Sequence, residues 1–181
     1  MKQGGLGDCY FIAAISAVAE RPDRIRKNIL SKEPNTAGAH CVALNVAGLW
    51  EEILMDDQFP VDPSSRQPAF SKARSKDLWV MLIEKAWAKI HGGYHNIEAG
   101  YISEALSALT GAPVHTYFVT KATADENWQI ICEGERNNYI MACSSSDFNR
   151  TGNDTADRST GLSGLHAYSL LSAHEVNANG R

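Results

Sequence analysis

The sequence predicts an α+β fold, in which a helical part bearing a cysteine precedes a strand-rich part bearing a histidine. Three observations carry that prediction. Apolar residues recur at helical spacing through Phe11, Ala14, Ile15, Val18 and Ala19, and again through Leu78, Leu82, Ile83, Ala86 and Ile90. Short runs of strand character gather in the later chain, at Val114–Val119, Tyr139–Cys143 and His166–Ala173. The length of 181 residues, 44% hydrophobic and 21% charged, suffices for one domain or two closely joined lobes with a real core.

Taken in order, Met1–Gly7 is loop-like, and Asp8 is a good N-cap for the first helix. That helix carries almost no charge before Glu20, so it is expected to be buried nearly all round. Arg21-Pro22 ends it, and Asp23–Leu30 reads as a short second helix. His40–Val46 and Leu49–Met55 read as strands of a hairpin turning at Ala47-Gly48, closed by Asp56, Asp57 and Pro60. Ser71–Ala73 leads into the helix expected to be longest, Asp77–Ile90, which Gly92-Gly93 stops. A helix at Ile102–Leu109 ends at Gly111. The strand Val114–Val119, the helix Ala124–Glu133 and the strand Tyr139–Cys143 follow. Ser144–Gly164 is a polar stretch, and loops of that length inside a compact domain are often functional. His166–Ala173 is the last strand.

Composition narrows the function. A net charge of −4 and a pI near 5.8 argue against a nucleic-acid surface. Four cysteines without a C-x-x-C pair make neither a disulfide scaffold nor a zinc knuckle. Apolar stretches fall short of the ~20 residues of a membrane span. No secretory leader is visible, so a reduced, cytoplasmic setting is expected. The glycine-rich start lacks the Gly-Lys-Ser/Thr ending of a phosphate loop. Asn149-Arg150-Thr151 and Asn153-Asp154-Thr155 are formal glycosylation acceptors, expected to be unused in that setting.

Cys9 is the most informative residue. It stands in the first turn of an apolar helix, where the helix N-terminus favours a thiolate, the nucleophilic form of cysteine. The competing reading is a small buried hydrophobe, which is what most free cysteines are. Cys41, Cys132 and Cys143 read as inert core. A cysteine nucleophile needs a base, usually histidine. His40, His91, His95, His115, His166 and His174 are the candidates. His91 and His95 have the spacing of zinc ligands on a helix, but Gly92-Gly93 lies between them, and they read as surface residues. His166 opens a strand after a flexible loop, which suits a group facing a cleft. Spacing alone does not choose it over His115.

Gln3-Gly4-Gly5-Leu6-Gly7-Asp8-Cys9-Tyr10-Phe11 resembles the active-site signature of the calpains, papain-like cysteine endopeptidases usually controlled by calcium. The likeness continues through Trp50–Pro60 and is strongest from Leu78-Trp79 to Tyr94. It resumes in Glu104-Ala105-Leu106 to Thr110-Gly111 and in Gly164-Leu165-His166-Ala167-Tyr168-Ser169, so it covers nearly the whole chain. The resemblance implies that Cys9 is the nucleophile, His166 the general base and Gln3 an oxyanion-hole donor beside the Cys9 backbone N–H. It implies a papain-like fold with a cysteine lobe at 1–112 and a histidine lobe at 113–181. Proteins or polypeptides are the implied substrates, and regulatory domains would lie in a longer parent chain. A catalytically weak or inactive module that binds protein partners, and an acyltransferase on the same Cys–His scaffold, are the alternatives.

Three departures from the family pattern qualify this. No Asn-Pro-Trp-Gly segment, where the family's third catalytic residue stands, occurs up to Arg181; residues 1–181 alone are therefore expected to hydrolyse peptides poorly. The tryptophan after the nucleophile is Tyr10 here. The acidic residue that helps bind calcium is replaced around His95-Asn96, with Glu98 nearby, so no cofactor is certain and calcium binding is expected to be weak or absent.

Overall fold

The computed structural model describes residues 1–31, 33, 36–75, 77–146 and 161–176. Its helices and strands mix as an α+β protein. Helix α1 spans Cys9–Ala19 and forms the centre of the core, with Tyr10–Ile15, Ala17 and Val18 buried. The stretch is short of charge, so burial all round costs no desolvated ion. Helix α2 is only Pro22–Ile25. The expected helix through Leu30 stops early because Asn28 is claimed by the neighbouring hairpin. Its carbonyl accepts the Ala43 N–H at 2.8 Å, and its Nδ2 donates to the carbonyls of Ala43 and Leu109.

The hairpin pairs β1, Ala39–Val46, with β2, Leu49–Asp56, in an antiparallel register from Ala39↔Asp56 to Val46↔Leu49. Its turn is Ala47-Gly48, both with positive φ, as a two-residue hairpin turn demands. Helix α3, Trp79–Ile90, buries Val80–Glu84 and Ala86–Ala88. Leu78, expected on its inner face, is exposed instead, because it precedes the first turn. Lys85 ties α3 to the hairpin by donating to Asp56 Oδ1 at 2.5 Å.

A 3-10 turn at Tyr94–Ile97 leads to α4, Ile102–Thr110, which ends at Gly111 in the left-handed region. Val114–Val119 is not a strand. Residues 112–118 belong to no helix or strand, and Tyr117, Phe118 and Val119 are exposed. Helix α5, Ala124–Arg136, is the longest and opens with a capping box between Thr123 and Glu126. Strands β3, Met141–Ser144, and β4, Ala167–Leu170, form a second antiparallel pair that packs on α1. The two glycosylation acceptors lie outside the described residues.

Two contacts fix α1. The Phe11 ring stacks on Trp87 with centroids 4.8 Å apart. The Trp87 indole N–H donates to the Tyr10 hydroxyl at 2.9 Å inside the core. No helix among the described residues is long and apolar enough to cross a membrane.

Candidate active site

Cys9 is the first residue of α1, half-buried, with Ile12, Ala13 and Ser16 following on the same helical face. That face lines an open cleft of about 250 Å³. Gln3 borders the cleft from the N-terminal segment, and His166 and Tyr168 border it from β4 and the residue preceding it. Two regions far apart in sequence, residues 1–16 and 166–169, thus meet at one opening. His115 does not; it is exposed on the irregular stretch between α4 and α5. Geometry therefore separates the two histidines that spacing leaves equal.

The Gln3 segment is strapped down. Lys2 and Lys72 exchange backbone hydrogen bonds at 2.9 Å, and the Gly5 N–H donates to the Ala69 carbonyl at 3.0 Å. Gly4 must be glycine: a Cβ there would stand 2.3 Å from the Phe70 carbonyl oxygen. The Gln3 side chain is aimed by one bond from its Nε2 to the Leu6 carbonyl at 2.7 Å. A primary amide has a second hydrogen on the same nitrogen, which leaves donor capacity for a ligand.

His166 is held by a serine–tyrosine frame. Its N–H donates to Ser145 Oγ at 3.1 Å, and its carbonyl accepts the Ser145 N–H at 2.9 Å. Ser145 Oγ donates in turn to the Ser163 carbonyl at 2.6 Å. The Tyr168 ring meets the imidazole edge-on, centroids 4.9 Å apart, while its hydroxyl accepts the Ser163 N–H at 2.8 Å. Ser145 carries no motif that sequence spacing could single out, and Tyr168 stands in the family-like stretch Gly164–Ser169 with no role attached to it. Ser145 lies at the start of the polar stretch, and that position is its only signal.

Asp8 sits at the N-cap position, yet its carboxyl makes no capping bond. It is fully buried, and burial, with the nearby Glu84 carboxyl, pushes its pKa up to about 8. Glu84 of α3 is also buried, and burial raises it too. A charged residue amid Leu82, Ile83, Ala86 and Trp87 is a signal the helical pattern contains but does not interpret. The other cysteines are all free, and none is core. Cys41 and Cys132 are half-buried and Cys143 is exposed, since four-residue β3 is covered on neither face at that end. Desolvation nonetheless raises the Cys41 and Cys143 thiols.

A calpain family cysteine protease model matches residues 1–181. The chain belongs to the calpain family. It is similar to the calpain-type cysteine protease DEK1 of Arabidopsis thaliana, 32% identical over 98% of this chain but only 8% of that protein. It is 30% identical to the human calpain-1 catalytic subunit over 99% of this chain and 25% of the relative, and 29% identical to human calpain-14, with 99% and 26% covered. The chain thus spans from about a twelfth to a quarter of the length of these calpains. The donor set at His95, Asn96 and Glu98 offers one carboxylate, an amide and an imidazole, short of the roughly six to eight oxygens calcium takes. Among the described residues, no group of three or more His, Cys, Asp or Glu side chains is arranged to hold a metal.

Proposed function

We propose that this chain is the catalytic core of a cysteine endopeptidase of papain-like fold, hydrolysing peptide bonds in proteins. The cysteine and the histidine would sit on separate lobes with a boundary near Gly111 to Pro113. One observation carries the reading: Gln3, Cys9 and His166 share a single cleft. The Cys9 thiolate attacks the peptide carbonyl carbon. The second Gln3 amide hydrogen and the Cys9 backbone N–H stabilise the resulting oxyanion. The His166 imidazolium gives its proton to the leaving amine, which leaves a thioester on Cys9. His166 then takes a proton from water, whose oxygen attacks the thioester and frees the acid and the thiol. The chemistry needs a reduced thiol, which supports action in the cytoplasm, where thiols stay reduced. Polypeptides are the substrates, and regulatory domains belong to other parts of a longer protein.

Limited alkylation tests this without requiring turnover. At mildly acidic pH, iodoacetamide is expected to label Cys9 well ahead of Cys41 and Cys143, whose thiols burial raises. His166→Ala is expected to weaken that preference. Equal labelling of all four cysteines would overturn the reading.

A further inference from the structure

We propose that Asp8 and Glu84 are positioning residues for this site: a buried carboxyl pair that shares one proton and so holds the first turn of α1 against the segment carrying Gln3. The proposal rests on the reading of Cys9 as nucleophile and Gln3 as oxyanion donor, and deepens it.

The pair closes a ring of contacts. Asp8 precedes Cys9, and its carbonyl accepts the N–H groups of Phe11 and Ile12 at 2.9 and 3.1 Å, which starts the helix. Its side chain turns away from the helix into the core, where no N–H or O–H of another residue donates to either carboxyl oxygen. What it meets is the Glu84 carboxyl. Glu84 reaches in the other direction as well, accepting the Ser71 N–H at Oε1 at 3.1 Å. Ser71 belongs to the strap 69–72, whose backbone bonds hold Lys2 and Gly5 on either side of Gln3. The path from Cys9 to Gln3 therefore runs through Asp8, Glu84 and the strap, and only the contact between the two carboxyls depends on a proton.

Two carboxylates cannot bond to each other, so one must be the acid. No lysine, arginine or histidine forms an ion pair with either among the described residues; Lys85, next to Glu84, points outward to Asp56. Burial with a like charge beside it favours the neutral form. The proton belongs on Asp8, because Glu84 already accepts from Ser71 and acts as acceptor again. The other ionisable groups facing the pair do not replace it. Tyr10 of α1 and Tyr94 of the 3-10 turn are both held above the ordinary phenol range by burial and stay neutral. Glu104 acts on Tyr10 and Asp56 on Tyr94, so both add negative charge nearby. A neutral Asp8 also spares the Cys9 thiolate a like charge on the adjacent residue.

The folded chain keeps a proton that the unfolded chain releases in the ordinary carboxylate range. That contribution to stability is complete in acid and is lost as pH rises through about 8, the value to which Asp8 is pushed. Above it the two anions repel, and the strap loosens from the turn.

Hydrogen exchange of the intact chain reads this directly. The protection of the Lys2, Gly5 and Lys72 amides, corrected for intrinsic exchange, is followed from about pH 6 to about pH 9.5. In the wild type it is expected to fall by at least about tenfold across pH 8, one pKa unit's worth. The Ala43 amide, bonded to Asn28, is expected to stay level. Asp8→Asn keeps a neutral donor to Glu84 at every pH and is expected to remove the step. Glu84→Gln, a second variant in case the first fails to fold, removes the repelling anion and is expected to remove it too. A wild-type profile that stays level, or a step that survives in the folded variants, overturns the proposal. Cys9 alkylation is scored on the same samples. Selective labelling without a step sinks the pair alone, and a step with unselective labelling sinks the peptidase reading alone.

Discussion

The first turn of α1 and the start of β4, which β3 pairs, face the same cleft, yet different forces secure them. Around Cys9 the chain is held by packing: eight of the eleven α1 residues are buried, and Phe11 and Ile15 have no exposed surface. Around His166 it is held mainly by hydrogen bonds. The ladder has four residues per strand, of which only Ala167 is buried, and α5 beside it buries only Gly134. A two-stranded sheet is marginal alone, so β4 depends on docking against α1 and on the Ser145 frame. The cleft joins a wall set by dense packing to a wall set by a few polar contacts.

The largest expected effect breaks the first wall. Phe11→Ala removes a fully buried ring stacked on Trp87 and is expected to cost about 3–5 kcal/mol in urea unfolding. A loss below about 1 kcal/mol would show that packing does not hold α1. Next comes Ser145→Ala, which strips the His166 N–H of its acceptor. About 1–3 kcal/mol is expected, the cost of one unsatisfied polar group, along with shifted His166 ring signals in NMR spectra. A loss as large as that of Phe11→Ala would mean that the ladder belongs to the same rigid core. The smallest effect concerns calcium. A ligand at a hundred times its Kd would add about 2.7 kcal/mol to stability. Millimolar calcium is expected to leave the unfolding midpoint unchanged, and calorimetry showing a tight stoichiometric site would overturn that.

Features with local causes were legible in the sequence. The Ala47-Gly48 turn, the stop at Gly92-Gly93 and the end of α4 at Gly111 follow from backbone conformations that these residues permit, and positive φ is found at each glycine. Features that need a distant partner were not. Val114–Val119 has the composition of a strand, but composition does not supply a neighbour to pair with. Asp23–Leu30 has helical spacing, yet Asn28 bonds across to β1 and α4 and stops the helix early. Asp8 shows the same split within one residue: its place at the helix start is local, while the direction of its carboxyl is set by Glu84. At the site, Cys9 stood out by its place at a helix start. The meeting of His166, and not His115, with Cys9 in one cleft is tertiary, and only the resemblance to a known family anticipated it.

Tyr10 is where this chain departs from its family immediately after the cysteine, and its environment shows what kind of departure it is. The phenol oxygen is the acceptor for the Trp87 indole N–H, and Gly100 lies so close that a Cβ there would come within 2.5 Å of the ring. An indole in place of the phenol would bring a donor where an acceptor is required, and two rings of greater bulk would compete for space that a glycine has already ceded. Position 10 is therefore not an isolated letter. Positions 10, 87 and 100 meet in one corner of this chain, so a change at one alters what the other two must accommodate.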